Sequence, residues 1–278
     1  DDKNQKYLDT TIGSGTHILG HRNTIIVETL KKQLDTSMLF TTNNNIAFEV
    51  SELITQCVPS IDKIVFCNTG SEATMRAARI SRAYTKKKKI ALFSGAWHGG
   101  NELFFYDYDY IKNDKKSYHK SAGVPDEFKE LVIVLPYNDN DTFTMIEEHK
   151  NELAMVIIEP SQGSNPRDDM QEFLLKLRNI TLENNIVLCF DEMITGFRVA
   201  LGGAQEYYGI EADIVTYGKT IGAGMPIGVV GGKNKFMKII KGECGSLPVF
   251  MGGTFSANPM SMASSKALLK YLISNKDD

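Results

Sequence analysis

Apolar positions along the chain follow two rhythms. Over residues 22–35, Ile25, Ile26, Thr29, Leu30 and Leu34 recur on one side of a helical period, with Lys31 and Lys32 opposite, which predicts an amphipathic helix. Residues 45–56 predict a second helix, closed off by Pro59. Ile64-Val65-Phe66-Cys67 is apolar throughout and short, which predicts a buried strand. It breaks at Asn68-Thr69-Gly70 and enters a helical stretch over 71–84. The same alternation continues. Strands are predicted at Ile90–Phe93, Leu131–Leu135, Met155–Ile158, Ile186–Phe190, Asp213–Tyr217 and Ile227–Val230, and helices over 168–184 and 257–273.

Strands that are apolar on both faces and separated by helices imply an α/β fold: a mostly parallel sheet with helices on both faces. Polar residues gather just after the strand ends, the edge at which such sheets bind ligands. Tyr106 to Pro125 lacks apolar periodicity and is rich in Tyr, Asp and Lys, so it is expected to be a long loop of the kind that forms lids. Lys86-Lys87-Lys88-Lys89 is expected to be a solvated turn.

Composition removes several classes of function. The net charge is −3 and charged residues make up 23%, which gives no basic surface for nucleic acid or an acidic membrane. Cys57, Cys67, Cys189 and Cys244 lack metal-site spacing, and Cys67 and Cys189 fall inside apolar runs, so reduced structural thiols and no metal are expected. The polar start Asp1-Asp2-Lys3-Asn4 and the absence of an apolar run near about 20 residues make a cytoplasmic protein the expectation.

Three motifs carry chemistry. Gly218-Lys219-Thr220 looks like the tail of a P-loop, but position 213, where that loop needs glycine, is Asp213. Lys219 instead follows a strand end in a glycine-rich turn, where its amine could meet a carbonyl as a Schiff base or lie on the surface. Asn68-Thr69-Gly70-Ser71-Glu72-Ala73 joins a strand to a helix and is either a phosphate-binding turn or a plain helix cap. Asp191-Glu192 ends a buried strand and is either a site carboxylate or a capping acid. An anion site, an acid and an amine at three strand ends are together what pyridoxal phosphate requires, and Trp97, the single tryptophan, could cover its ring.

These motifs, with Trp97-His98-Gly99, Glu159-Pro160, Asp191-Glu192-Met193-Ile194-Thr195-Gly196-Phe197-Arg198, Gly218–Gly228 and Gly253-Thr254-Phe255-Ser256-Ala257-Asn258-Pro259, resemble in order those of class-III aminotransferases of fold type I. The resemblance runs from about Tyr7 to the C-terminus and is nearest to glutamate-1-semialdehyde 2,1-aminomutase and related aminotransferases. It implies pyridoxal 5'-phosphate as cofactor and the large domain of that fold. It also implies residue roles. Lys219 forms the Schiff base and moves the proton. Asp191 pairs with the ring nitrogen. Gly70 and Ser71 bind the phosphate. Trp97 and Met193 cover the two ring faces. Glu159 belongs to the polar shell, and Ser164 stands near the position where the aminomutase has an asparagine that contacts the cofactor's phenolic oxygen. Thr254 reaches the partner's cofactor, which implies a homodimer.

The resemblance further implies an N-terminal segment over 1–30, a cofactor-binding large domain over 31–260, and residues 261–278 leading to a small C-terminal domain that the 278 residues do not contain. The segment Gly13–His21 lacks the aminomutase's tryptophan and is one residue shorter, and the stretch Gly99–Ser121 differs in composition. Both changes lie on the substrate side, where a lost polar partner redirects specificity. Three readings follow: a transaminase moving an amino group between a small-molecule donor and an aldehyde or keto acceptor, the aminomutase itself, or a cofactor-fold scaffold with weak or no catalysis.

Overall fold

The computed structural model describes residues 2–40, 42, 44–109, 114–242 and 247–276, so Cys244 lies outside the described residues. In chain order the strands are β1 (Lys63–Cys67), β2 (Lys89–Phe93), β3 (Tyr106–Asp109), β4 (Asp114–His119), β5 (Val132–Leu135), β6 (Leu153–Ile158), β7 (Val187–Asp191), β8 (Ile214–Gly218) and β9 (Gly228–Gly232). The helices are α1 (Ile12–Gly15), α2 (Thr24–Leu34), α3 (Asn45–Cys57), α4 (Gly70–Thr85), α5 (Asp141–His149), α6 (Gln171–Glu183), α7 (Gly203–Tyr208), α8 (Asn234–Met237) and α9 (Pro259–Ser274).

Seven strands form one sheet in the order β1-β9-β8-β7-β6-β2-β5. The pairs from β8 to β5 are parallel, whereas β9 runs antiparallel to both β1 and β8. The exception has a length cause. Only Lys219 to Ile227 connects β8 to β9, fewer residues than the dozen or so that a parallel crossover needs.

Alternation along each strand splits the interior into two cores. Val187 and Cys189 of β7 pack with Ala73, Ala77 and Ile80 of α4 on one face. Leu188 and Phe190 pack with Leu174 and Leu177 of α6 and with Ile54 of α3 on the other. Helices therefore cover both faces, as expected. Helix α9 packs along α2 and α3. The boundary expected between 30 and 31 falls inside α2, and that between 260 and 261 falls in the first turn of α9.

Two expectations need correction. Tyr106–Pro125 is not a featureless loop: β3 and β4 pair as an antiparallel hairpin, with residues 110–113 outside the described residues. Tyr106 is buried at 1% exposure and anchors the hairpin to the β2–β5 edge, a long-range contact that local periodicity does not encode. The lysine run is not simply a solvated turn. Lys86 ends α4 in the left-handed region at φ 63°, and Lys89 opens β2 and pairs with Glu152 at 2.7 Å. Lys87 Nζ donates to Lys150 O at 2.8 Å and to Asn184 O at 2.9 Å, satisfying carbonyls at the ends of neighbouring elements. Cys57, Cys67 and Cys189 are buried free thiols, and burial lifts Cys67 to about 12 and Cys189 well above its ordinary value.

Candidate active site

At the carboxyl edge of the sheet, a cavity of about 150 Å³ is lined by Gly70, Ser71, Thr74, Trp97, His98, Gly99, Asp191, Met193 and Lys219. Its floor comes from two adjacent parallel strands. Asp191 ends β7 and faces the α4 side because Val187 and Cys189, four and two residues earlier, do. A carboxylate only 2% exposed needs partners, and both oxygens have them. Oδ2 lies 2.6 Å from His98 Nδ1, while Oδ1 accepts from Thr216 Oγ1 at 3.1 Å and from the Met193 backbone N–H at 3.3 Å. Thr216 is the direct neighbour of Asp191 across the β7–β8 ladder. A carboxylate only accepts, so His98 donates through Nδ1. Its Nε2 is buried and has no hydrogen-bond partner among the described residues.

Lys219 follows β8 and is half-buried, with φ 43°, a left-handed conformation uncommon outside glycine. Strain of that kind persists where the surrounding structure fixes it. Beneath it Met193 is wedged between two glycines: a Cβ at Gly70 would come within 2.8 Å of Met193 Sδ, and one at Gly218 within 2.7 Å. The methionine therefore occupies the space that side chains at those positions would need.

The opposite end is the N-terminus of α4. Thr69 caps it by accepting from Glu72 N at 3.2 Å, and Glu72 Oε2 accepts from Asn68 N at 2.7 Å, a close variant of the capping box. The first-turn N–H groups of Gly70 and Ser71 have no acceptor within the helix and lie at the cavity. The helix-cap reading of this motif is realised in the side chains, and the backbone leaves first-turn N–H groups at the cavity. Ser71 Oγ accepts from Gly100 N at 2.9 Å, and Gly99, at φ +89°, approaches so closely that a Cβ would meet Ser71 Cα at 2.7 Å.

The acidic pair divides its work. Glu192 points to the other face, where it caps α7 by accepting from Ala204 N at 2.6 Å, with Thr195 Oγ1 at 3.0 Å. Burial pushes its carboxyl up to about 7, against the lowering effect of those donors.

Six residues named from sequence meet in this one cavity: Gly70, Ser71, Trp97, Asp191, Met193 and Lys219. Glu159 stands behind it, accepting from Trp97 N at 2.9 Å and Gly163 N at 3.1 Å. Ser164 is exposed on the loop after β6 and does not line the cavity. Thr254 is exposed beyond β9, also outside it. Sequence reasoning assigned no role to His98, Thr74 or Thr216. His98 stood inside a quoted motif, and a histidine beside the covering aromatic was the available signal. Among the described residues no cluster of His, Cys, Asp or Glu suits a metal ion, and no helix is long and apolar enough to cross a membrane. An amine, an oriented carboxylate and an anion-binding helix end around one small cavity fit the cofactor expected from the sequence.

That fold and site define a class: the family model described as aminotransferase class-III matches residues 1–277, and the chain belongs to that family. The glutamate-1-semialdehyde 2,1-aminomutase of Hydrogenobaculum sp. (strain Y04AAS1) is 42% identical over 278 residues, 98% of this chain and 64% of that protein. An omega-transaminase from Sphaerobacter thermophilus superposes with a TM-score of 0.86 at 34% identity, over 94% of this chain and 61% of that one. A transaminase solved with PLP bound gives a TM-score of 0.86 at 32% identity, over 94% and 62%. The chain thus spans a little under two thirds of the length of each of these proteins.

Proposed function

We propose that the chain binds pyridoxal 5'-phosphate at Lys219 and is the cofactor-binding part of an aminotransferase that moves an amino group between a small-molecule donor and an aldehyde or keto acceptor. The observation that carries this is the convergence of Lys219, Asp191 and the α4 N-terminus on one cavity. Bound there, the cofactor supplies an aldehyde that accepts an amine and a ring that withdraws electrons. The α4 N–H groups of Gly70 and Ser71 hold the phosphate, where the helix dipole favours negative charge. Asp191 faces the ring nitrogen, and His98 and Thr216 fix the direction of its two oxygens. Trp97 and Met193, which line the same cavity, would cover the two faces of the ring. Lys219 would hold the cofactor through its amine, and the same amine, freed, would serve as the general base that moves a proton.

Self-association belongs to the same proposal. Leu247, Phe250 and Phe255 around Thr254 are 89%, 76% and 58% exposed, a concentration of apolar surface that suits a protein interface. A homodimer through this surface brings Thr254 to the partner's phosphate.

Absorption spectra with pyridoxal phosphate test the reading. Wild type is expected to develop a visible band that Lys219→Ala lacks; no band in wild type overturns it. The aminomutase reading is favoured by the names of the relatives. It requires isomerisation of glutamate 1-semialdehyde with no external acceptor, whereas the transaminase consumes one.

A further inference from the structure

Trp97 is 57% exposed, yet the turn that carries it is held at every residue by a side chain from another element. Ser94 Oγ donates to Asp107 Oδ1, and Gly95 N donates to both Asp107 oxygens at 3.3 Å. Lys120 Nζ donates to Ala96 O at 2.9 Å. Trp97 N donates to Glu159 Oε1 at 2.9 Å, and Gln162 Nε2 donates to Ser94 O at 2.8 Å. Asp107 and Lys120 also face each other at 3.8 Å, with side chains only 13% and 22% exposed. Both belong to the hairpin: Asp107 lies on β3, and Lys120 follows β4 and donates its backbone N–H to Phe105 O at 2.7 Å. Phe105 sets its ring edge-on to the indole, with centroids 5.8 Å apart.

A partly buried ion pair whose hydrogen bonds go to the Ser94 hydroxyl and to the main chain at Gly95 and Ala96 of one short turn does more than join two elements. Charge-assisted bonds are the shorter and stronger kind, and their direction fixes backbone orientation. The backbone in turn sets where the Trp97 side chain departs. We propose that Asp107 and Lys120 are positioning residues: the β3–β4 hairpin clamps the 94–97 turn so that the indole stands over the cavity. The proposal rests on the reading that Trp97 covers bound pyridoxal phosphate.

Trp97 is the only tryptophan in the sequence, so fluorescence excited beyond the absorption of tyrosine reports on it alone. In Asp107→Asn and in Lys120→Met, with far-UV circular dichroism unchanged, Trp97 anisotropy in cofactor-free protein is expected to fall and its emission to shift to the red. Quenching of Trp97 by added pyridoxal phosphate is expected to weaken. The dissociation constant should rise about tenfold, the equivalent of one hydrogen bond to a charged group. The visible band from Lys219 should persist at saturation. Anisotropy, quenching and affinity all within about twofold of wild type would overturn the clamp. If Asp107→Asn does not fold, Lys120→Met decides alone by the same readings. A wild-type visible band formed without Trp97 quenching would overturn the placement of the indole and leave the cofactor reading intact. No band at all would remove the cofactor reading, and the cofactor-free anisotropy would still decide the clamp.

Discussion

The floor and the rim of the cavity are built by different means. Asp191, Met193 and Lys219 stand at the ends of adjacent sheet strands or within two residues beyond, and their backbones start from the ladder's geometry. Asp191 is 2% exposed and Met193 8%. Trp97, at 57% exposure, sits on a turn that no ladder orders, and side chains from the β3–β4 hairpin and from the loop after β6 hold it instead. A ladder is an all-or-none device shared by many residues, whereas a bracket of side chains can be changed one residue at a time. The stretch Gly99–Ser121 carries the bracketing hairpin, whereas Asp191, Met193 and Lys219 of the floor follow the sheet strands β7 and β8. Under the proposed function, cofactor chemistry belongs to the floor and adaptable recognition to the rim.

Changes to the floor should have the largest effects. Lys219→Ala removes both the amine and the base, and turnover measured with an amine donor is expected to fall by more than about 10³-fold. Asp191→Asn keeps shape but removes charge opposite the ring nitrogen; single-turnover rates are expected to drop by about 10²–10³. A smaller loss there would dissolve the distinction between floor and rim.

Glu192 tests whether the floor's other face is only a support. Its carboxyl, raised to about 7, keeps a proton that the unfolded chain has already released, so wild-type stability falls as pH rises from about 4.5 to about 7. Glu192→Gln lacks that titration. Urea unfolding should show the variant gaining about 2–3 kcal/mol on wild type between pH 5 and pH 8. Parallel pH profiles would mean that Glu192 is not held as described.

Gly218→Ala places a methyl group against Met193 Sδ and is expected to cost about 1–3 kcal/mol in thermal or urea unfolding, with Met193→Ala in the same chain recovering part of it. At the weak end, Ser164→Ala alters a residue outside the cavity and should leave cofactor affinity within about twofold in a spectral titration. A tenfold loss would bring Ser164 back to the site.

Much of the molecule was legible in the chain. Apolar runs such as Met155-Val156-Ile157-Ile158 are too short for helices and too uniformly apolar for a half-exposed sheet, so strand type and two-faced burial followed directly. Lys219, Asp191 and Gly70 were legible because each stands where a strand pattern stops, and chemistry needs those residue types there. Tertiary structure alone decided what depends on pairing between distant segments. The parity of β7 turned Asp191 to the cavity and Glu192 to α7, a division that adjacent carboxylates in a sequence do not reveal. The hairpin's register set Asp107 and Lys120 beside residues 94–96, and the fold set His98 against Asp191, 93 positions away. Local sequence specifies period and punctuation, because these follow from the backbone's own geometry. Which polar groups satisfy one another once water is gone is settled only when the sheet brings them together.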